Sequence, residues 1–284
     1  MPHLYSGRQV ALATKHKKDM LIARPLRVGV GLNVIVAESV DTDELGTFSG
    51  EVERVGSPRD TAMRKARLGM AALGLSLGLA SEGSFGPDPQ LGFLPLHEEL
   101  LAFVDDVHRQ VIIVEHRGHE TNWRSRTLKP GEDPTPLLTD IGLPGHAAVV
   151  KPNVVLPGMP VARGLREAAV VAAAVTQMAA CSADGRARVE ADLRAHMNPT
   201  RMRVIASLGE ALARRLATPC PACGVPGFGH IDTEIGLPCE ECSEPTAMLR
   251  AEIHGCGACG YRLARPRSDG REAADPGVCP QCNP

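Results

Sequence analysis

The chain has 284 residues, enough for one sizeable core and a small appended unit. Apolar residues make up 43%, charged residues 23% and aromatics 3%, with a formal net charge of −2. This excludes a surface built wholly for nucleic acid and requires a core packed with Ala, Val and Leu. The opening MPHLYSGRQVALATKHKK lacks the apolar run of a signal peptide, and Arg163, Arg166 and Glu167 interrupt the Ala-rich stretch 161–180. The expectation is a cytoplasmic protein with no membrane partner and reduced thiols.

In chain order, Val10 to Thr14 has a buried-strand pattern. A basic turn, Lys15-His16-Lys17-Lys18, leads into a helix interrupted near Pro25, and Leu32 to Val36 reads as a second strand. Ser57-Pro58-Arg59-Asp60 opens a helix to about Ala72, with Ser57 as N-cap and Asp60 closing a capping box. Leu75 to Ala80 reads as a strand, Leu96 to Val107 as a helix, and Val111 to Val114 and Ala147 to Val150 as strands. Alternation of this kind predicts a layered α/β domain over residues 1–158. Val161 to Ala180, Val189 to His196 and Thr200 to Leu216 read as helices, giving a helical connector over 159–218, with Asn198 capping the last of them.

The final stretch, 219–284, holds four Cys-x-x-Cys pairs: Cys220/Cys223, Cys239/Cys242, Cys256/Cys259 and Cys279/Cys282. A two-residue gap aims both thiolates of a pair at one metal, and two pairs complete a tetrahedral shell, so eight thiols imply two zinc ions. With four Cys per metal no position is open to substrate, which makes the zinc structural. Two pairings satisfy the count. Sequential pairing gives a tandem zinc-ribbon module and is expected because each half is long enough for a hairpin; crossed pairing joins the first pair to the third and the second to the fourth. Gly224, Gly257 and Gly260 read as turn residues beside the thiols. Cys181, outside the pairs, reads as a small buried hydrophobe.

The segment Val10-Ala-Leu-Ala-Thr14-Lys15-His16-Lys17-Lys18 resembles the opening strand and loop of the inosine/xanthosine triphosphate pyrophosphatase superfamily, Ala-Thr-x-Asn-x-x-Lys. Asp60-Thr61-Ala62-Met63-Arg64-Lys65-Ala66 resembles that family's Glu-Asn-Ala-x-x-Lys-Ala helix, and Leu79-Ala80-Ser81-Glu82-Gly83-Ser84-Phe85 its acid-bearing strand end. His16 stands where the family has Asn, the lysine is displaced by one position, and Asp60-Thr61 replaces Glu-Asn. The resemblance, over residues 10 to 86, implies a Mg²⁺-dependent nucleoside triphosphate pyrophosphohydrolase. It would use Glu82 on the metal, Asp60 or Glu51 as a second carboxylate, and Thr14, Lys15, Lys17 and Lys65 on the phosphates. The whole arrangement also resembles an uncharacterised bacterial family carrying a domain of unknown function.

Other polar clusters are candidates of their own. Asp41 to Phe48 groups three acids beside Gly46 and reads as a solvated acidic loop. Glu115 to Trp123 holds His116, His119, Glu120 and Asn122, of which Glu120 and Asn122 are candidate substrate residues, and Trp123 stacks on a base or fills the core. Arg194 and Arg201, near Asp192 and His196, are placed to close over phosphates. The rival to the hydrolase is a non-enzymatic protein whose zinc module binds nucleic acid or protein.

Overall fold

The computed structural model describes residues 3–15, 17–41, 56–156 and 158–284. Expectations for His16, for Asp43, Glu44 and the rest of the acidic loop past Asp41, and for Glu51 fall outside them. The described strands are β1 (Gln9–Leu12), β2 (Asn33–Val36), β3 (Leu77–Pro87), β4 (Pro95–Asp105), β5 (Gln110–Gly118), β6 (Ser125–Leu128), β7 (Ala148–Pro152), β8 (Ala162–Leu165), β9 (Ala187–Ala191), β10 (Gly229–Ile235), β11 (Leu249–Gly255) and β12 (Arg262–Pro266). The described helices are α1 (Asp19–Val30), α2 (Pro58–Leu73), α3 (Thr135–Ile141), α4 (Ala168–Ala180) and α5 (Pro199–Ala217).

Five strands form the first sheet in the order β2-β1-β3-β4-β5. β1 runs parallel to β2 and β3, while β3–β4 and β4–β5 are antiparallel pairs. Alternate side chains serve opposite faces. Val10, Leu12, Leu79, Leu101 and Phe103 pack against Ile22 and Leu26 of α1 and Leu208 and Leu212 of α5. On the other face Ala11, Ala80 and Val104 meet Ala66 and Met70 of α2. A chain poor in aromatics needs this close approach: a Cβ on Gly78 would lie 2.8 Å from the Ala66 carbonyl. α2 starts as expected, with the Ser57 hydroxyl accepting from the Asp60 N–H at 3.1 Å.

β4 corrects the helix expected over Leu96–Val107. Its residues Leu-His-Glu-Glu-Leu-Leu-Ala are good helix formers in isolation. Central placement between β3 and β5, with helices on both faces, buries nearly every position and erases the alternation that marks a strand. The strand at 77–87 also extends well past Ala80, so Ser81 to Phe85 lie within β3 rather than in a following turn.

The expected helical connector 159–218 is mixed. Val161–Ala180 is not one helix: β8 occupies Ala162–Leu165, Gly164 sits at φ +71°, and α4 begins at Ala168. Val189–His196 is the end of β9 followed by a 3₁₀ turn, because Val189 and Ala191 must bury against α4. β6, β9, β7 and β8, in that order, form a second, antiparallel sheet, and α3 and α4 cover it through Leu138, Val171, Val175 and Met178. Trp123 packs against this second core. α5 starts as expected from the Asn198 cap, which accepts from the Arg201 N–H at 3.0 Å. Cys181 terminates α4 and is exposed, contrary to expectation, because the chain turns outward there. No described helix is long and apolar enough to cross a membrane.

Candidate functional site

The eight paired cysteines form two groups, each with its four sulfurs within 4.8 Å of one another. One group is Cys220, Cys223, Cys256 and Cys259, and the other is Cys239, Cys242, Cys279 and Cys282. The pairing is therefore crossed, and the tandem arrangement is corrected. The strand geometry explains it. β10, β11 and β12 form an antiparallel three-stranded sheet, so each successive knuckle falls at the opposite end of it. Sequential pairing would have to bring together the two ends of seven-residue β10, about 20 Å apart at roughly 3.3 Å per residue.

The sulfur spacing suits zinc. Four sulfurs at about 2.3 Å from a tetrahedral centre stand about 3.8 Å apart. Cys220–Cys259 is 3.8 Å, Cys223–Cys256 3.7 Å, Cys239–Cys282 3.9 Å and Cys242–Cys279 3.6 Å, far longer than a disulfide. All four knuckles close alike: the N–H of the residue after the second cysteine donates to the carbonyl of the first, at 2.8 to 3.0 Å for Gly224, Ser243, Gly260 and Asn283. Gly224 and Gly260 take positive φ there, as expected, and Ser243 does so without being glycine. Gly257 has another reason. A Cβ on it would lie 3.2 Å from the Gln110 Cβ, so it lets the Cys256/Cys259 knuckle approach β5.

A second polar assembly lies inside the α/β part. Lys65 on α2 and Glu82 on β3 form an ion pair at 2.6 Å, both buried. Across the same strand, Lys18 at the start of α1 donates to the Ser81 hydroxyl at 2.7 Å and reaches the Ser81 carbonyl at 3.4 Å. Glu99 on β4 receives Arg201 Nε at 2.8 Å and Nη2 at 3.0 Å, with His97 Nε2 at 3.2 Å. Arg201 Nη1 also donates to the Leu193 carbonyl at 2.6 Å, and its guanidinium lies 5.7 Å from the centre of the Phe85 ring. Gly83 is needed between them, since a Cβ would lie 2.7 Å from Arg201 Nη2 and nearer still to Glu99.

The electrostatics follow from burial. Lys18 is brought down to about 8, chiefly by loss of water and then by the Arg201 charge, with Glu99 and Glu82 opposing. Burial alone would raise the Glu99 carboxyl; the Arg201 charge and the bonds from His97 and Arg201 outweigh it and hold it at about 2. Removing water makes each of these interactions stronger and each unpaired charge more costly.

The expected site residues divide. Lys65, Glu82 and Arg201 come together with Lys18, and Thr14 is buried just past β1. Lys15 pairs with Asp41 at 2.5 Å. Lys17, at φ +54°, and Arg194 both add charge around His196, whose imidazole is held below its usual value first by burial. Arg194 clasps Asp192 at 2.6 to 3.2 Å. Asp60 is engaged in its cap, where the Ser57 hydroxyl bond keeps the carboxyl low. Asn122 donates to the Ile141 carbonyl and accepts from Asn198 at 2.8 Å, tying the second sheet to α5, while Glu120 is exposed. His119 holds Asp88 at 2.8 Å in the β3–β4 turn. No motif singles out Glu99 or His97; the signal is their spacing, since residues two apart on a strand share one face.

Sheet, helices and cysteine centres define a mixed α/β protein with a zinc-ribbon-like C-terminal module that is compatible with two structural zinc ions. Residues 65–284 match the family described as Domain of unknown function (DUF6671), and the chain belongs to that family. No curated protein matches the chain at a significant level. The matched span contains Lys65, Glu82, Glu99, Arg201 and all eight paired cysteines, while the Thr14–Lys18 loop precedes it.

Proposed function

We propose that the buried charge cluster binds the phosphates of a nucleoside triphosphate and hydrolyses it to a monophosphate and pyrophosphate. The observation that carries the reading is Lys18: a buried ammonium group whose two hydrogen bonds go to the neutral oxygens of one serine. A lysine kept in that setting beside Lys65 and Arg201 is suited to an incoming anion. Lys65 can exchange Glu82 for a phosphate oxygen, and Lys15 and Lys17 extend the cationic loop toward the outer phosphates. Arg201, locked on Glu99, fixes the start of α5 and sets the field without needing to move.

Magnesium suits this cluster through a single protein carboxylate, with the phosphates and water supplying the remaining positions. Glu82 would hold it; Glu99 is occupied by Arg201 and His97. When bound, the metal supplies charge neutralisation at the phosphates. Water adds to the α-phosphorus and gives up its proton to solvent, the bond to the bridging oxygen breaks, and the lysines stabilise the charge gathering on the departing pyrophosphate.

The test is pyrophosphate release from normal and deaminated nucleoside triphosphates in Mg²⁺, with wild type and Glu82→Gln side by side. Turnover should fall by at least about a hundredfold in the variant, which loses thermal stability with the buried partner of Lys65 but stays folded at the assay temperature. Absence of turnover on every nucleotide, or equal turnover in the variant, refutes the reading. A pH series adds a second readout. Lys18 faces Arg201, Glu99, Glu82 and Lys65, and it loses its proton as the pH rises through about 8. Triphosphate affinity should therefore weaken above pH 8, and Lys18→Met should flatten that limb.

A further inference from the structure

β5 is an edge strand of the first sheet among the described residues, and a groove of about 770 Å³ runs along it, between the end of α5 and the zinc module. Arg59, Arg214, Arg215 and Arg265 line it together with His230 and His254. Glu115 is the one carboxylate among the lining residues, and Arg59 already holds it at 2.7 and 2.9 Å. Three arginines remain. Arg215 donates to the carbonyls of Ile113 at 2.9 Å and Gly227 at 3.2 Å, both neutral, and burial lowers its basicity. Arg214 pairs with Glu210 at 3.9 Å, both side chains in solvent. Arg265 stands opposite Glu252 in the β11–β12 register, and Glu252 also accepts from His254 at 3.4 Å. Phe228, buried against His254 with ring centres 6.0 Å apart, gives the groove an apolar floor.

The charge here departs from its surroundings. Residues 219–284 carry nine carboxylates and five arginines, a net charge of −4. Two zinc ions on eight thiolates would make the module more negative still. A long nucleic acid laid over the module would meet repulsion along most of its length, which counts against the zinc module as a nucleic-acid surface. A short anion seated inside the groove would meet four arginines against one lining carboxylate, Glu115, which Arg59 already holds. The volume falls within the roughly 300–1,000 Å³ of small-molecule sites, room for one mononucleotide. We propose that this groove is a second binding site, separate from the buried charge cluster, for a mononucleotide-sized phosphorylated ligand. Its phosphate is held by Arg214, Arg215 and Arg265, and its apolar part lies over Phe228 and Ile113.

Titration calorimetry of the zinc-loaded full-length protein with ADP at low salt separates the two sites. Wild type should bind two equivalents. Arg214→Glu/Arg265→Glu, which changes exposed side chains, should weaken one equivalent by about tenfold or more, in line with losing charged hydrogen bonds. Arg214→Gln/Arg265→Gln should weaken it less, in the same direction. Lys65→Met should remove the other equivalent and keep this one. A single equivalent lost in the arginine variant and kept in Lys65→Met supports the groove and removes the buried-cluster reading. A single equivalent lost in Lys65→Met and untouched by the arginine variants overturns the groove and leaves the cluster reading standing. No ADP binding at all overturns the groove.

Discussion

Serine replacement of Cys220 together with Cys256 will cost the protein one zinc ion and leave the other in place. Replacement of Cys220 together with Cys239 will cost both. The crossed groups require this outcome, and sequential pairing requires the reverse. Native mass spectrometry of the two double variants, counting metal per chain, decides between them. The energetic consequence is large. Structural zinc contributes on the order of 10 kcal/mol in modules of this kind. The module has little else: its apolar cluster is Cys220, Phe228 and Cys256 with Ala258 packed against it, and every residue of β12 is exposed. Full chelation should therefore abolish amide protection across β10–β12 while β1, β3, β4 and α5 remain protected. Retained protection in β10–β12 with no zinc bound would show that the sheet stands without metal.

The two centres also differ in their neighbours. The first knuckle sits against β5, where Gln110 donates to the Pro226 carbonyl at 3.1 Å and Arg215 to that of Gly227. The second lies at the far end, held to the chain terminus by the Glu240 N–H on the Ala274 carbonyl at 3.0 Å. Loss of the first metal reaches the α/β core and the arginine groove, whereas loss of the second frees the outer end of the module.

The metal centres could be read from the sequence because Cys-x-x-Cys spacing is a local rule. Their pairing was not local, since it depends on strands β10–β12 reversing direction, which the spacing of the cysteines does not encode. The caps at Ser57 and Asn198 were legible for the same local reason. β4 was not, because burial on both faces removes the two-residue alternation through Leu100, Leu101 and Ala102 that would mark a strand. Glu99 on a helix would be an ordinary surface acid, and on β4 it is the buried partner of Arg201. Glu82 and Lys65 stood out through a family resemblance; that they bond to each other could not be read from residues seventeen positions apart.

Arg201→Ala should destabilise the protein by about 3–5 kcal/mol, the cost of leaving a buried carboxylate without its cation. Arg201 is 1% exposed and Glu99 1%, so water cannot take the missing partner's place without opening the core. His97 remains at 3.2 Å, but one imidazole does not replace two guanidinium bonds. Glu99→Leu/Arg201→Leu should recover much of the loss, because it removes the desolvation cost of both partners together. Denaturant unfolding of the single and double variants measures the coupling, and a double variant no more stable than Arg201→Ala would mean that the cost lies in packing around Phe85 and Leu193 instead. The pH dependence has a definite sign. Glu99 titrates at about 2 in the fold, below its ordinary value of 4.5, so the unfolded chain binds the extra proton first. The stabilisation it brings is complete above about 4.5 and is lost as the pH falls toward 2. Wild type should therefore lose stability steeply between those values, and the leucine pair should lose less. Equal acid sensitivity in the two proteins would place the acid transition in other carboxylates.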